Sequence, residues 1–399
     1  MTIDGLNAPA ELAPDSPRAV AEVLAEAAER GHGVIPVGGA TALALGNPPE
    51  RWDCALSTGK LGGIIDYEPT DLVLSVGAGA KLGDVQAVLG EHGQHLPIDP
   101  PGGAEATIGG LIATGLAGPR RLSAGTLRDL LIGISVAHPS GTITKAGGMV
   151  VKNVTGFDLS RVYHGSLGTL GVIVSANFKV LPLPRADVTL LLVTSSLAAA
   201  LDAAGRVRAS RVEPAALESA LIDGQWLTAV RLAGHATTVR SLTDDTRNLL
   251  DGDVELLDKE ASAGWWRSYL DGQSLTAADD EAVIRCSVRP RDIATFALGI
   301  DAEMARLGVA VPLLAASVGL GSVVARLRLS DGDADRLAEI QTVLLALAEN
   351  ATILAAPAAW KRGLDVWGRV PPTLAIMREL KEQFDPRRVL NPGRFAGGI

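Results

Sequence analysis

The spacing of apolar residues in the first part of the chain predicts short strands around two amphipathic helices. Residues 17–31 have helical spacing that Gly31 ends, and residues 81–92 repeat the pattern. Strands are predicted at 33–37, 53–57, 72–76, 129–139, 142–145 and 172–181, with 53–57 paired with 72–76 and with 129–139 and 142–145 as a hairpin. The prolines at 182 and 184 end this part, so we place a domain border at residue 184.

After residue 184 the pattern changes to strands that alternate with longer helices. Strands are predicted at 188–194, 226–232, 283–288, 311–317 and 323–329, and helices at 197–209, 237–250, 292–307 and 333–349. This alternation is typical of an α+β fold with a mainly antiparallel sheet. Residues 372–384 form a last amphipathic helix. We expect domains at 1–184 and 185–358, followed by a C-terminal segment at 359–399.

An uncharged run at residues 307–325 is long enough for a membrane span. Pro312, Gly319 and Gly321 interrupt it, and the alternation that follows predicts two strands joined by a glycine turn. We therefore expect no transmembrane segment. The first twenty residues have no basic region followed by an apolar region, so we expect no secretory signal. A cytoplasmic location follows as an expectation, and peripheral contact with the inner membrane through partners stays open.

Charge and cysteine content narrow the function classes. The chain has 36 basic and 45 acidic residues, which argues against a nucleic-acid binder. Two cysteines are too few for a disulfide scaffold, a cysteine-ligated iron–sulfur cluster or a cysteine-rich zinc site. They favour a reducing compartment. The six histidines show no metal-ligand spacing, so we predict no metal site, and the pattern identifies no catalytic residue.

A loop of small residues follows the strand at 33–37. Consecutive amide groups of such a loop can point at one spot and bind phosphate oxygens without basic side chains. The alternative is an ordinary glycine turn. The candidate phosphate-binding residues are Val37, Gly38, Gly39, Ala40, Thr41 and Ala42.

Two more glycine-rich segments lie between residues 76 and 115. The segment 76–83 resembles a dinucleotide-binding loop, but its third glycine is one residue late, so we interpret it as a structural turn. The segment 99–115 consists mostly of small residues, and its part 106–115 is uncharged. Its backbone can approach a flat ligand closely because glycine has no Cβ, although a close contact between a helix and a strand explains it as well.

Two further segments combine glycines with polar residues. In 125–129, the adjacent Arg128 and Asp129 are typical of a local ion pair, and we keep Gly125 and Asp129 as candidate cofactor residues. In 152–173, glycines interrupt the start of a strand whose backbone could contact the edge of a heterocycle. His164 lies within this last segment.

The order of these motifs is more specific than any one of them. PVGGATAL, PIDPPGGAEATIGGLIATGLAGPRR, SAGTLRDLLIGI, VVKNVTGFDLSRVYHGSLGTLGVI and FDPRRVLNPGRF together resemble the vanillyl-alcohol oxidase/p-cresol methylhydroxylase (PCMH) family of FAD-binding proteins. Within that family the segments GLAGPRR and KNVTGFDLSR are most similar to the FAD-binding, E-type subunits of bacterial glycolate oxidase. The resemblance covers residues 17–184 and 360–396.

The resemblance implies a PCMH-type FAD-binding domain of two subdomains, an α+β cap domain and a C-terminal helix that returns to the FAD domain. It implies that the loop 37–42 binds the pyrophosphate of FAD. It also implies flavin or ribityl contacts from Pro101, Thr107, Gly109, Gly110, Ala113 and Thr114, backbone contacts from Gly171 and Ile173, and a place near the isoalloxazine for Asn391.

Two departures from the family shape the functional hypotheses. The pyrophosphate loop has no histidine, so we predict non-covalent FAD. No histidine follows residue 235, whereas catalytic D-type subunits carry a histidine-rich segment in that half. The leading hypothesis is a relay or auxiliary FAD subunit of a glycolate oxidase, with a catalytic flavin subunit and an iron–sulfur subunit as partners. A self-sufficient 2-hydroxy-acid dehydrogenase and a non-catalytic assembly subunit stay open as alternatives.

Overall fold

The computed structural model describes residues 2–3, 6–150, 159–222, 224–329 and 334–399. Contacts divide the chain into two compact units. Unit 1 comprises 1–117, 126–183 and 370–399, and unit 2 comprises 118–125 and 184–369. The domain borders expected at 184 and 358 stay predictions. The compact units differ from them in that 118–125 and 359–369 group with unit 2.

Short strands and helices of ordinary length account for most of the regular structure. The strands are β1 (Thr2–Ile3), β2 (Leu6–Asn7), β3 (Ala10–Leu12), β4 (Val34–Val37), β5 (Cys54–Ser57), β6 (Ile64–Glu68), β7 (Val73–Gly77), β8 (Gln94–His95), β9 (Leu131–Ala137), β10 (Ile143–Gly147), β11 (Val172–Lys179), β12 (Leu181–Pro182), β13 (Ala186–Thr194), β14 (Ala216–Ile222), β15 (Gln225–Gly234), β16 (Val254–Leu257), β17 (Glu281–Ser287), β18 (Ala310–Ser317), β19 (Ser322–Arg328) and β20 (Asn350–Ala355). The helices are α1 (Pro17–Arg30), α2 (Leu82–Glu91), α3 (Ile108–Thr114), α4 (Arg121–Ala124), α5 (Leu127–Leu130), α6 (Ser160–Tyr163), α7 (Leu197–Ala209), α8 (Ala236–Leu249), α9 (Lys259–Gly272), α10 (Ile293–Arg306), α11 (Ala334–Leu347) and α12 (Leu374–Phe384). None of these described helices is both long and apolar enough to cross a bilayer.

Unit 1 contains two main sheets that each have their own core. Strands β3, β5 and β4 form a parallel sheet, and β10, β9, β11, β7 and β6 form an antiparallel sheet in that order. The buried face of α1, through Val20 and Leu24, packs with strand residues of both sheets. Helix α1 begins at the Ser16 cap, whose hydroxyl accepts the Ala19 amide, and it ends at left-handed Gly31 as the sequence predicts.

The C-terminal tail is part of unit 1. The amide of Val34 donates to Val389 O at 2.7 Å, which extends the parallel sheet to the tail. Lys381 and Asp385 form a buried pair with 2.7 Å between Nζ and Oδ2, and Lys381 Nζ also donates to the carbonyls of Thr169 and Leu390. These bonds hold the tail against the glycine-rich segments, as the C-terminal helix of the expected fold requires.

Unit 2 is built on one eight-stranded antiparallel sheet with the order β16-β13-β15-β14-β18-β19-β17-β20. Helices α7, α8, α10 and α11 share one large apolar core with it. A smaller cluster on the other face contains Trp266 and Tyr269 of α9. The α+β class with a mainly antiparallel sheet is thus confirmed.

One predicted strand pairing is wrong. The strand at 53–57 pairs with β3 and β4, whereas the strand at 72–76 pairs with β6 and β11, so the two lie in different sheets. Apolar alternation marks both strands but does not fix their partners, which long-range packing selects. The hairpin of β9 and β10 and the pair β18–β19 do form.

Candidate functional site

A cavity in unit 1 gathers most of the glycine-rich segments that the sequence analysis singled out. It contains about 830 Å³ of space between atoms, its open mouth included. All predicted cofactor residues except Gly125 and Asp129 line it. Their contact with a flavin stays a prediction, but the chain does bring them to one place.

The loop after β4 forms one wall of the cavity with its backbone. The described residues provide no hydrogen-bond acceptor for the amides of Gly38, Ala40, Thr41 and Ala42. Ala40 has a φ of 59°, a left-handed conformation that is uncommon for a residue with a Cβ. When amide groups without acceptors lie in a loop whose residues alternate between right-handed and left-handed conformations, they form a concave site that binds anions.

The two glycines of this loop are required by protein packing as well. A Cβ on Gly38 would lie 2.0 Å from Thr107 Oγ1, and one on Gly39 would lie 2.2 Å from Glu105 O. The Gly39 amide donates to Thr107 Oγ1 at 3.3 Å. One of the predicted phosphate-binding amides is therefore already used, and the side chain of Thr107, 4% exposed, fixes the loop.

Helix α3 supplies a second wall with small side chains. A Cβ on Gly109 would lie 2.8 Å from the Cβ of Ala78, which explains why this helix start has no side chain there. Gly110, Ala113 and Thr114 line the cavity. The hydroxyl of Thr114 donates to Gly110 O at 2.8 Å and is satisfied within the helix.

The start of β11 and the loop before it line a further side of the cavity. A Cβ on Gly171 would lie 2.3 Å from Val136 Cγ1, so this position admits only glycine. Leu167 donates its amide to Ala113 O at 2.7 Å and has a φ of 52°. The loop is thereby fixed to the end of α3, and Gly168 and Ile173 follow it along the cavity.

The C-terminal tail closes the cavity with Asn391 and Arg394. Asn391, at a φ of 46°, donates from Nδ2 to Leu167 O at 2.6 Å. Arg394 donates to Leu43 O and Leu45 O at 2.6 and 2.7 Å. This one cavity is therefore lined by three of the described non-glycine residues with positive φ, namely Ala40, Leu167 and Asn391. Strained backbone of this kind is often found at functional sites.

Gly125 and Asp129 do not line the cavity. Gly125 groups with unit 2 and follows the short helix α4. Asp129 Oδ2 accepts the Thr126 amide at 2.8 Å and the Thr126 hydroxyl at 3.1 Å. The hydrogen bond from the Thr126 amide holds the pKa of Asp129 below its usual value. The hydrogen bond from the Thr126 hydroxyl and the charges of Arg128 and His164 lower this pKa further. Asp129 thus has a local capping role in the structure.

Part of the fifth predicted segment, residues 151–158, lies outside the described residues. Sequence reasoning also missed cavity residues, namely Pro36, Leu43, Thr58, Leu111, Leu116, Leu167, Gly168, Val172 and Arg394. All of them except Thr58 lie within the motifs quoted above, which was the available signal, and Arg394 lies three residues after Asn391 in the tail motif. The others are apolar or small residues whose positions depend on tertiary contacts.

The histidines near this region have structural surroundings. Burial lowers the pKa of His138, whose Nδ1 meets Leu170 O at 3.2 Å and whose Nε2 meets the Thr144 hydroxyl at 2.8 Å. Burial and the charge of Arg128 lower the pKa of His164. Within the described ranges, His, Cys, Asp and Glu side chains form no cluster suited to a metal ion.

Comparison with known proteins shows which proteins this chain is similar to. The profile of the FAD binding domain matches residues 8–147, and that of the C-terminal domain of FAD linked oxidases matches residues 368–395. The chain is 47% identical over 129 residues to glycolate oxidase subunit GlcE of Escherichia coli (strain K12), which is 32% of this chain and 37% of that relative. It is 26% identical over 420 residues to glycolate oxidase subunit GlcD of Bacillus subtilis (strain 168), at 97% of this chain and 88% of that relative.

A solved structure of alkyldihydroxyacetonephosphate synthase has the same fold, with a TM-score of 0.71 at 16% identity over 96% of this chain and 75% of that chain. The profile matches and the fold define an FAD-linked oxidoreductase. The chain is similar to proteins with a PCMH-type FAD-binding domain, and its cofactor is FAD. The match to the first relative spans little more than a third of that protein, so substrate and partners need a separate argument.

Proposed function

We propose that the chain is the FAD-binding subunit of a multi-subunit glycolate oxidase that converts glycolate to glyoxylate. In this proposal the chain relays electrons, while a partner subunit oxidises the acid. The relationship to GlcE over the FAD-binding part supports the assignment to such a complex. FAD, when bound, supplies reversible electron transfer, and the protein supplies binding and orientation.

The cavity residues fit this cofactor. In this proposal the diphosphate is bound by the free amides of Gly38, Ala40, Thr41 and Ala42, because they need an acceptor and carry no opposing charge. The small residues Gly109, Gly110 and Ala113 provide a flat wall that a ring system can approach closely. Arg394 adds one cation, which its bonds to Leu43 O and Leu45 O hold in place.

The observation that carries the relay role is the composition of the cavity wall. Among the described residues that line it, Arg394 is the single titratable side chain, with no imidazole, carboxylate or lysine amine. Removal of the proton from a 2-hydroxy acid needs a base within hydrogen-bond reach. The same wall offers no His, Cys or Tyr for a covalent link to the cofactor, which supports non-covalent FAD.

Electron transfer out of the chain requires another protein in this proposal. Both cysteines are buried, and burial raises the pKa of Cys286 to about 12, so neither is available as a thiolate ligand for a cluster. An iron–sulfur subunit is therefore the expected acceptor. A cytoplasmic complex is the location we propose with it.

A self-sufficient dehydrogenase is the second candidate, because the similarity to GlcD extends over nearly the whole chain. One experiment separates the two. The purified chain is loaded with FAD, its visible flavin absorbance is recorded, and glycolate is added without oxygen. Absorbance that glycolate leaves unchanged, and that bleaches only after the partner subunits are added, is the expected result. Bleaching by glycolate in the isolated chain would establish the second candidate instead.

The mode of FAD attachment is tested on the same sample. Acid precipitation should leave yellow FAD in the supernatant and a colourless pellet. Colour that stays with the precipitated protein would contradict non-covalent binding. A chain that acquires no flavin colour even with added FAD would contradict the proposed function as a whole.

A further inference from the structure

Arg394 is a buried cation whose place in the cofactor cavity is fixed by hydrogen bonds. The residue is 3% exposed and lines the cavity. Its Nη2 donates to Leu43 O at 2.6 Å and to Leu45 O at 2.7 Å, and its Nη1 donates to Asn391 Oδ1 at 3.3 Å. These three acceptors are neutral oxygens, so the bonds orient the guanidinium without cancelling its positive charge.

These bonds belong to a chain of contacts that joins separate walls of the cavity. Asn391, which accepts from Arg394, donates from Nδ2 to Leu167 O at 2.6 Å. The Leu167 amide in turn donates to Ala113 O in α3. The segment after the phosphate-binding loop, the tail and the loop before β11 are therefore linked through Arg394. A cation in such a network keeps its position when a ligand in the cavity changes its charge.

The other charged groups around the tail act less on the cavity. Lys381 and Asp385 are both buried, but they pair at 2.7 Å and together carry no net charge. Glu50 also contacts the tail, yet its carboxylate is exposed and pairs with Arg388 at 3.6 Å. Water and salt screen an exposed charge more than a buried one. Among the described side chains, Arg394 therefore has the largest expected electrostatic effect on a ligand in the cavity.

We propose that the charge of Arg394 raises the reduction potential of the bound FAD. Reduction adds two electrons to FAD, and when one proton is taken up with them the reduced flavin carries one negative charge. The diphosphate keeps its charge throughout, so only the flavin ring changes its attraction to the cation. At an effective dielectric constant of about 20, one unit charge about 10 Å away favours the reduced anion about tenfold or more. Charge near the flavin is one of the means by which a protein tunes this cofactor.

The potential is measured by equilibrating the full FAD-loaded chain with a redox dye of known potential. Arg394→Gln removes the charge and keeps a hydrogen-bond donor. Its potential should lie about 30 mV or more below the parent's, which is a tenfold shift for a two-electron couple. Arg394→Lys keeps the charge but loses the planar fork, so its potential should stay close to the parent's. Arg18→Gln is the matched control, because it removes an exposed cation of α1 and should leave the potential unchanged.

Thermal unfolding of the same variants separates the charge of Arg394 from its hydrogen bonds. Both Arg394→Gln and Arg394→Lys lose bonds to Leu43 O or Leu45 O, so both should unfold at a lower temperature than the parent. The potential should fall in the glutamine variant alone. An equal fall in both variants, or no fall in the glutamine variant, would overturn the proposal. Arg394→Met is a second uncharged variant, so the test does not depend on the folding of one protein.

The affinities for oxidised and reduced FAD distinguish the flavin ring from the diphosphate. The potential reports the difference between these two affinities, because a group that binds both states equally shifts nothing. We expect Arg394→Gln to weaken the binding of reduced FAD about tenfold more than that of oxidised FAD. Equal weakening of both would assign the charge to the diphosphate and overturn the proposal. The inference rests on FAD as the cofactor and needs no glycolate, so a failure of the relay role would appear separately, in the glycolate experiment.

Discussion

Thr107 and Gly38 contact each other so closely that a Cβ on Gly38 would lie 2.0 Å from Thr107 Oγ1. The two residues are far apart in the sequence, and they join the loop after β4 to the start of α3. The cavity wall therefore depends on two features at once: a glycine in the loop, and a hydroxyl that accepts the neighbouring amide of Gly39. Each feature can be changed separately.

Gly38→Ala should abolish FAD binding, because the new methyl group meets a side chain anchored at a buried helix start and the loop must move away from it. Titration of the apoprotein with FAD, followed by flavin fluorescence, measures this. Gly90→Ala is the matched control, since Gly90 lies in α2 with nothing within 4 Å of its added Cβ. The control should bind FAD normally and gain about 0.5–1 kcal/mol of stability. Normal binding by Gly38→Ala would contradict this account of the loop.

Thr107→Val should weaken FAD binding without unfolding the chain. Valine has nearly the same shape, but it leaves the Gly39 amide without its acceptor, at a cost of about 1–3 kcal/mol for a buried group. Thr107→Ser keeps the hydroxyl and should bind FAD almost as tightly as the parent. Calorimetric titration with FAD distinguishes the three chains. A serine variant that binds FAD more weakly than the valine variant would show that the methyl group of Thr107 is what matters.

The sequence predicts the helices and the glycine-rich loops better than it predicts their partners. Helix α1 carries its own start and stop in Ser16 and Gly31, and the hairpin β9–β10 carries its own turn, so local signals suffice. Strand β14 was missed because Glu218 and Ser219 interrupt its apolar pattern. Both side chains are buried, and the Tyr269 hydroxyl of the distant helix α9 donates to Glu218 Oε2, a contact that the local sequence does not reveal.

The residues that line the cavity were likewise only partly predictable from the sequence. Small residues after β4 and around α3 were predictable because their composition itself is unusual. The contacts of Leu167 and Arg394 were not, since they join parts of the chain that are far apart in sequence: Arg394 reaches Leu43 over a separation of 351 residues. Gly77 and Gly79, in the segment that resembles a dinucleotide-binding loop, have a structural role instead. Their Cβ atoms would lie 1.9 and 2.0 Å from the carbonyls of Leu61 and Thr58, so close backbone packing accounts for them.

His138 should make stability depend on pH below neutrality. Its pKa is lowered by burial, so between that folded value and about 6.5 the unfolded chain binds a proton that the folded chain does not. The free energy of unfolding therefore falls as pH drops through this window. Above the window His138 no longer lowers it. Thermal unfolding measured across the window should show a shallower slope for His138→Gln than for the parent. His32→Gln, at an exposed histidine, should keep the parent's slope.

Asn391 should stabilise the cavity in two separable ways, through its bond to Leu167 O and through its tolerance of a positive φ. Asn391→Gly keeps the backbone conformation at low cost but loses the amide, so it should lose about 1–3 kcal/mol. Asn391→Ala loses the amide and adds left-handed strain, so its loss should be about 1 kcal/mol greater. Denaturant unfolding of both variants measures the difference. FAD affinity should fall in the same order, because the Leu167 loop lines the cavity. An alanine variant as stable as the glycine variant would show that the tail can relax at this residue, and that the hydrogen bond alone holds it.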